Sequence, residues 1–209
     1  MGYCDYWNKA SAVNVKYHNE EWGVPVYDDR RQFEYLMLEV MQCGLSWQIV
    51  INKRKIFRSC FENFDFNKIA DYNTQDIERI MHTEGMIKSP RKIAAIIHNA
   101  QKFLDIRAEF GSFDAYIWAY TNGKTILYDK HDDGYIPVSN GLSATISKDL
   151  KKRGFKYTGE ITIYSHLQAC GIINDHDKNC PRYHYINAHF PTVRKHRDAE
   201  KFVQCFSDK

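Results

Sequence analysis

Two pairs of cysteine and histidine residues stand near opposite ends of this 209-residue chain. Cys4 and His18 lie close to the start, and His176 and Cys180 lie close to the end. Zinc takes four thiolate or imidazole ligands in closed structural sites, and two cysteines with two histidines are one such set. One ion held by all four residues would tie the terminal segments together. A closed site has no open position for water, so any catalytic chemistry would lie elsewhere.

Other residues could supply the same ligands, because the chain contains 6 cysteines and 9 histidines. A free cysteine is often just a small buried hydrophobic residue. Cys170, His184 and His189 are alternative ligands. Spacing alone therefore leaves two interpretations open, a structural zinc site and a chance set of cysteines and histidines.

The composition indicates an ordinary globular protein, with 44% hydrophobic and 26% charged residues. We expect residues 1–209 to form a single domain with a sizeable core. The chain has no apolar run long enough to span a bilayer and no secretion signal at its start, so we expect no membrane partner. Dispersed cysteines without such a signal are typical of a reducing cytosol, which predicts a cytoplasmic protein. The net charge of +3 permits a nucleic-acid partner without requiring one.

Helix start signals recur along the chain, and they predict an all-α fold. Candidate starts stand at Asp28–Asp29, Ser46, Asp65, Thr74, Ser89–Pro90, Ser112, Ser143 and Thr158. The second of these predicted helices runs to about Phe61, and the one that begins at Pro90 runs to about Glu109. Residues 124–128 are the best strand candidate of a weak set, and they are also compatible with an extended loop.

The segment from Glu84 to Pro90 joins two predicted helices through Gly85, with Lys88, Arg91 and Lys92 beside it. Backbone N–H groups in such a turn and at a helix N-terminus favour anions such as phosphate. The segment therefore fits a DNA-binding helix–hairpin–helix motif. It equally fits a plain pair of antiparallel helices with a solvated basic edge.

Glu39 is the strongest single candidate for a functional carboxylate. It lies at the border of a wide apolar arc on the helix predicted over residues 30–43. A carboxylate buried there must be paired, hydrogen-bonded or placed at a cavity, because burying it alone is costly. The alternative is a solvated glutamate on a polar strip shared with Gln32.

Aromatic residues stand close to Glu39 in the sequence, in the stretch from Tyr17 to Trp22 and again at Trp47. A carboxylate with aromatic neighbours suits a flat ligand such as a nucleobase, although such residues are usually part of a core. A basic cluster fits either DNA phosphate or the negative end of a helix. Its members are Lys148, Lys151, Lys152, Arg153 and Lys156.

Taken together, these motifs resemble the 3-methyladenine DNA glycosylase I family of the helix–hairpin–helix glycosylase superfamily. The resemblance is collinear from residue 4 to about residue 180. It rests on Cys4, residues 17–25 (YHNEEWGVP), Glu39, residues 44–47 (GLSW), 92–97 (KIAAII), 151–157 (KKRGFKY), 168–171 (QACG) and 174–176 (NDH).

The resemblance implies a helix–hairpin–helix DNA glycosylase fold in which one structural zinc ion is bound by Cys4, His18, His176 and Cys180. It implies that Glu39 is the catalytic acidic residue of the base pocket. Substrate-binding residues would be Tyr17, as a hydrogen-bonding neighbour, Trp47, as a stacking face, and Trp22 and Tyr6 in the aromatic wall.

The resemblance also implies how the protein contacts DNA. Leu45 with Gln42, on the corner at Gly44, would fill the gap left by a flipped nucleotide. The hairpin would hold phosphate through Gly85, Lys88 and Arg91.

Three features depart from the family pattern or extend beyond it. Residues 85–90 lack the Gly-x-Gly signature and the following aspartate of the wider superfamily. Asn14 stands where relatives can carry an aromatic residue. Residues 181–209 form a C-terminal extension of unassigned role, with basic residues at Arg182, Arg194, Lys195 and Arg197.

The implied activity is hydrolysis of the N-glycosidic bond of 3-methyladenine in double-stranded DNA, by base flipping and with free 3-methyladenine as product. Because no lysine stands at the superfamily's nucleophile position, we expect a monofunctional enzyme without strand cleavage. We also expect a monomer. One alternative is a non-catalytic, zinc-stapled protein that recognises alkylated or distorted DNA. Another is the same fold acting on a different alkylated base.

Overall fold

Local sequence signals begin most helices of the computed structural model, which describes residues 4–5, 11–129 and 136–196. The Asp28 carboxylate accepts a hydrogen bond from the backbone N–H of Arg31 at 2.9 Å and caps the helix that carries Glu39. Asp65 caps the short helix Phe66–Ala70 in the same way, by accepting from the backbone N–H of Asn67. Pro90 occupies the first turn of the longest helix, where a missing N–H donor costs nothing.

The described residues form eleven α-helices, one 3₁₀ turn and two strands. The helices are α1 Ala12–Glu20, α2 Asp29–Gln42, α3 Trp47–Asn52, α4 Arg54–Cys60, α5 Phe66–Ala70, α6 Thr74–His82, α7 Pro90–Phe110, α8 Phe113–Ala119, α9 Gly141–Lys152, α10 Glu160–Ala169 and α11 Pro181–His189. The 3₁₀ turn is Glu62–Phe64, and the strands are β1 Thr125–Asp129 and β2 Thr192–His196. None of the described helices is both long and apolar enough to cross a membrane.

The mainly helical fold predicted from the sequence is confirmed, with two local differences. The helix predicted from Ser46 to about Phe61 is divided at Lys53, whose backbone leaves the helical conformation with ψ at 2°. Asn73, and not Thr74, caps α6, because its side chain bonds the backbone while Asp76 bonds back to it.

A small parallel sheet interrupts the all-α pattern. The predicted strand candidate, residues 124–128, forms β1 with its bounds shifted by one residue, to Thr125–Asp129. The strand pairs with β2 from Thr125 opposite Thr192 to Asp129 opposite His196. The C-terminal extension therefore supplies one helix and one strand. A parallel pair needs a long connection between its strands, so no local hairpin signal marks it in the sequence.

The chain divides into two compact units. Unit 1 comprises residues 1–26, 117–147 and 159–209, and unit 2 comprises residues 27–116 and 148–158. Unit 1 contains both terminal segments and the sheet. Unit 2 contains α2 to α7 and the end of α9.

The core of unit 2 is built around α2, in which every residue from 32 to 41 is buried. Phe33 contacts Phe103 edge to face with ring centroids 5.1 Å apart, and Phe103 stacks on Phe113 at 4.3 Å. Such aromatic pairs contribute beyond their buried area. Glu34, also on α2, accepts a hydrogen bond from Arg54 at 2.7 Å and makes an ion pair with Arg58 at the same distance.

The core of unit 1 contains one very close backbone approach, at Gly171. A Cβ atom on Gly171 would lie 2.4 Å from the Pro25 nitrogen, and the residue has a positive φ of 75°. Glycine alone allows this approach without steric strain. Beside it, the Val26 N–H donates to the Cys170 carbonyl at 3.1 Å. The segment that follows α1 is thus held against the end of α10.

Candidate functional site

Unit 1 brings together the four cysteine and histidine residues predicted to bind metal. The ligand atoms of Cys4, His18, His176 and Cys180 all lie within 4.8 Å of one another, and all four residues are buried. The Cys4 and Cys180 Sγ atoms each lie 3.6 Å from Nδ1 of His176. Zinc bonds of about 2.0 to 2.3 Å place neighbouring ligands roughly 3.3 to 3.8 Å apart on a tetrahedron. The cluster therefore has the composition and spacing of a closed metal site.

Hydrogen bonds outside the cluster orient both imidazole rings toward its centre. His176 Nε2 lies 2.9 Å from the Trp22 carbonyl oxygen, and His18 Nδ1 lies 2.8 Å from Oδ1 of Asn19. The opposite ring nitrogens, His176 Nδ1 and His18 Nε2, lie 3.6 to 4.0 Å from the cysteine sulfurs. Histidine ligands of metals are commonly fixed by such an outer hydrogen bond.

The two thiols of the cluster differ in acidity. Hydrogen bonding from Cys4, with further bonds from His176 and His18, holds the pKa of Cys180 far below its usual value. The same bond, with burial, raises the pKa of Cys4. The backbone N–H of Asp177 donates to the Cys4 sulfur at 3.3 Å. One thiolate is thus already favoured at Cys180, as soft-metal binding requires.

The alternative ligands do not enter this cluster. Cys170 is buried, and its thiol contacts the Leu167 carbonyl at 3.8 Å. His184 and His189 are exposed on α11. Among the described residues, the set predicted from the ends of the chain is the one that is assembled.

Two of the predicted base-binding residues belong to unit 1 and border the cluster. Trp22 is 5% exposed, and its ring meets that of His176 edge to face at 4.6 Å. Tyr17 is 2% exposed on α1, one residue before His18, and Asn14 is buried on the same helix. Tyr6 lies outside the described residues.

Glu39 is buried in unit 2 on α2, where only 5% of it is exposed. Burial raises the pKa of its carboxyl to about 8. In the part of the chain that the structure describes, the Glu39 carboxyl has no ion pair or hydrogen bond. The alternative of a solvated polar strip is wrong, because Gln32 on the same helix is fully buried. A buried carboxyl without a protein partner is typical of a ligand-binding position.

The segment after α2, residues 42–47, forms a tight turn that we call the wedge turn. The Leu45 N–H donates to the Gln42 carbonyl at 2.6 Å, and the Gln42 side chain donates to the Leu45 carbonyl at 3.3 Å. Gly44 supplies the positive φ of 76° that the turn requires. The Leu45 and Trp47 side chains are half-buried. Gln42, Gly44, Leu45 and Trp47 therefore lie on one turn that begins three residues after Glu39.

Residues 83–89 form the predicted hairpin between α6 and α7, also in unit 2. Gly85 has a positive φ of 74°, and Met86 beside it is buried. Lys88 and Arg91 are exposed. The hairpin thus leaves both of these cations accessible to a phosphate.

Lys92 was predicted to lie beside the hairpin, but its side chain has a role that the sequence did not reveal. Its ammonium group donates to the carbonyls of Met41, at 2.8 Å, and Cys43, at 2.6 Å. A second lysine, Lys53 at the end of α3, reaches the hairpin, where its ammonium group donates to the Gly85 carbonyl. Charge and helix position alone do not distinguish an inward lysine from a solvated one.

The basic cluster near the end of α9 divides into two kinds of residue. Arg153 bonds Glu109 at 2.6 Å and Asp149 at 2.7 Å, so it is part of the structure of unit 2. The four lysines are exposed: Lys148, Lys151, Lys152 and Lys156.

Comparison with known proteins links this geometry to one family. The methyladenine glycosylase family model matches residues 7–183. DNA-3-methyladenine glycosylase 1 of Escherichia coli is 39% identical over 177 residues, which are 85% of this chain and 95% of that protein. DNA-3-methyladenine glycosylase of Haemophilus influenzae is 38% identical over 84% of this chain and 95% of its own length.

Solved structures of similar proteins support the same family. A tyrosine-to-phenylalanine variant of a 3-methyladenine DNA glycosylase I, in complex with 3-methyladenine, superposes with a TM-score of 0.81 at 35% identity, covering 87% of this chain and 97% of that one. The Staphylococcus aureus 3-methyladenine DNA glycosylase I gives a TM-score of 0.78 at 36% identity, over 82% and 91% of the two chains. By sequence and by fold, this chain belongs to the methyladenine glycosylase family.

Proposed function

We propose that this protein is a DNA glycosylase that hydrolyses the N-glycosidic bond of 3-methyladenine in double-stranded DNA. The observation that carries the proposal is the buried Glu39 carboxyl, which no described residue pairs and which stands one turn before an accessible wedge turn. The names of the related enzymes and the bound 3-methyladenine in one of them support the same substrate.

The chemistry of the lesion suits a carboxylate. Methylation at N3 puts positive charge on the base, which then leaves readily and needs little general-acid help. An ionised Glu39 would attract that charge and accept hydrogen bonds from the base. Normal adenine carries no such charge and has a different donor pattern, so selectivity would follow from leaving-group quality and from these contacts.

Aromatic residues would bind the faces of the extruded base. We assign the stacking face to Trp47, where contact with a cationic base is worth roughly 0.5–2 kcal/mol. Tyr17 and Trp22 are proposed to contribute to base binding because they match the family motif, and Tyr6 is proposed on the same ground.

DNA contact would use the wedge turn and the hairpin. Leu45 with Gln42 would occupy the space of the flipped nucleotide, as apolar wedges do at opened base steps. Backbone groups at Gly85 and the cations of Lys88 and Arg91 would bind phosphate.

We propose that the cluster of Cys4, His18, His176 and Cys180 binds one structural zinc ion. The support is its ligand set, its spacing and the outer hydrogen bonds that orient both imidazoles. When bound, the ion would supply no chemistry to the reaction, because four protein ligands leave no position for water. We further propose that residues 1–209 act as one glycosylase domain, with residues 181–209 as its C-terminal extension.

The test is release of free base from methylated duplex DNA, resolved by chromatography, with the wild type and Glu39→Gln. We expect 3-methyladenine from the wild type, slower release and weaker binding of free 3-methyladenine by the variant, and no strand cleavage. DNA binding without any base release would instead favour the non-catalytic binding protein. The same chromatograms would reveal a different preferred alkylated base, and equal rates for the two proteins would remove Glu39 from the mechanism.

A further inference from the structure

Lys92 contacts the last turn of the helix that carries Glu39. The final carbonyls of an α-helix have no partners within the helix, and they form the negative end of its dipole. Lys92 Nζ bonds two carbonyls in this region, at Met41 and Cys43, and the bond to Cys43 is 2.6 Å long. The chain enters the wedge turn at these residues. The ammonium group thus holds the base of the wedge turn.

The same lysine belongs to the hairpin side of unit 2. It is the third residue of α7, and its backbone N–H donates to the carbonyl of Ser89, the last residue of the hairpin, at 3.1 Å. Burial lowers the pKa of Lys92. A lysine that served only as a solvated cation would not require an inward position bonded to two carbonyls.

Lys53 makes the reverse connection. It lies between α3 and α4, after the wedge turn, and its ammonium group donates to the carbonyl of Gly85 in the hairpin. The Ile56 side chain, on α4, lies close to Gly85: a Cβ atom on Gly85 would be only 2.7 Å from Ile56 Cδ1. A lysine that follows each segment in the chain therefore bonds a backbone carbonyl of the other segment.

We propose that Lys53 and Lys92 are positioning residues that hold the wedge turn and the hairpin at a fixed separation, so that both engage duplex DNA at once. This inference rests on the proposed function, in which the hairpin holds a phosphate while Leu45 enters the base stack. We assign neither lysine a contact with the substrate, because both ammonium groups bond backbone carbonyls. Their effect is on the alignment of two DNA-contacting segments.

The two lysines should therefore matter more for excision from duplex DNA than for excision from single-stranded DNA. In a duplex, extrusion of the damaged base leaves a gap that the wedge must fill while the backbone is held. In single-stranded DNA no pair is opened, so the alignment of the two segments matters less. Loss of either lysine should therefore slow excision from duplex DNA more than excision from single strands.

The experiment measures single-turnover release of 3-methyladenine from duplex and from single-stranded methylated DNA of the same sequence. We expect Lys92→Met to lower the duplex rate about 10- to 100-fold, since small misplacements cost up to about 100-fold. The single-strand rate and the affinity for free 3-methyladenine should stay within about threefold of wild type. Lys92→Arg, which keeps a cation and several donors, should recover part of the duplex rate.

Leu45→Ala distinguishes failure of the inference from failure of the proposed function. If Leu45→Ala does not favour single strands over duplex, the wedge role itself is wrong. If Leu45→Ala does so while both lysine variants keep the wild-type ratio, the positioning role is overturned. Lys102→Met is the matched control, because Lys102 lies on the same helix, is 31% exposed and bonds only Asp105 among the described residues. It should keep the wild-type ratio.

A further variant decides the case in which Lys92→Met does not fold, which would appear as loss of binding to free 3-methyladenine. Lys53→Met removes only the more exposed of the two contacts and should give the same shift in ratio, smaller in size. If Lys92→Met does not fold, an unchanged ratio in Lys53→Met would overturn the inference.

Discussion

The Nε2 atom of His176 lies 2.9 Å from the carbonyl oxygen of Trp22, and the two rings meet edge to face. One residue of this pair belongs to the proposed metal cluster, and the other is a proposed contact of the base. The bond orients the imidazole and at the same time holds the backbone of Trp22. The state of the cluster should therefore be detectable at the tryptophan.

We expect one zinc ion per chain, and we expect its removal to change Trp22. Metal content by mass spectrometry should be close to one equivalent in the wild type and close to zero in Cys180→Ser. Removal with a chelator should lower the melting temperature, because a structural site contributes binding free energy to folding. Tryptophan fluorescence should change as the His176 ring loses its fixed position.

Cys60→Ser is the control, since Cys60 is buried but lies outside the cluster. It should retain its zinc. Full zinc content in Cys180→Ser would contradict the proposed ligand set.

Glu39→Gln should stabilise the protein increasingly as the pH rises. Burial raises the pKa of Glu39 to about 8 in the folded protein, against 4.5 as the ordinary value. Between these values the folded state keeps the proton and the unfolded state releases it, so rising pH favours unfolding by up to about 1.4 kcal/mol per pH unit. Urea unfolding at pH 5.5 and pH 8 measures the difference, with the exposed Glu78→Gln as control. A constant difference at both pH values would contradict the prediction.

Excision should also depend on pH through Glu39. A cationic base favours the ionised carboxylate, so below about pH 8 the enzyme must release a proton to bind the lesion. We expect kcat/KM to rise up to tenfold per pH unit toward pH 8 and then to level off. Glu39→Gln should lose this dependence. A flat wild-type profile between pH 6 and pH 8 would argue against ionised Glu39 as the active form.

His166→Phe should stabilise the protein most at low pH. His166 is fully buried on α10, neither ring nitrogen has a partner among the described residues, and burial lowers its pKa to about 3 from 6.5. Between these values the unfolded state takes up a proton and the folded state does not, so stability is lost as the pH falls below about 6.5. The melting temperatures of the variant and the wild type should diverge from pH 7 to pH 5. The exposed His82→Gln should show no such divergence.

Glu34→Gln should destabilise unit 2 by about 3 kcal/mol, because it leaves a buried guanidinium without its counterion. Burial opposes ionisation of Glu34, but hydrogen bonds from Arg58 and Arg54 outweigh it and hold the pKa of Glu34 below its usual value. Arg58 is 43% exposed, against 9% for Arg54, so Arg58→Met should cost only about 1 kcal/mol. Urea unfolding of the two variants measures both costs, and equal values would show that burial is not the cause.

The features that the sequence predicted well are those specified by local or chemical constraints. Pro90 begins α7 and Asp65 caps α5 because these signals act within one turn of the helix. Cys4 and Cys180 could be proposed as ligands of one metal site because few residue types bind soft metals.

Features that depend on distant parts of the chain were not predictable in the same way. The pairing of Thr125 with Thr192 joins strands far apart in sequence, and strand alternation in β1 is hidden because four of its five residues are buried. The inward direction of Lys92 depends on carbonyls about 50 residues earlier in the chain. The sequence left Glu39 as either a buried or a solvated carboxylate. The burial of Gln32 decided between the two, and that burial follows from packing on all sides of α2.

The distribution of the four cluster residues along the chain has a consequence for biosynthesis. Cys4 is synthesised well before His176, because 172 positions separate the two residues. Residues 27–116, the larger part of unit 2, are complete before either C-terminal ligand has been made. The four-residue cluster can therefore be complete only after Cys180 has emerged. A nascent chain arrested before Cys180 would expose an unmatched thiol, which a cell could use to distinguish an unfinished copy from a finished one.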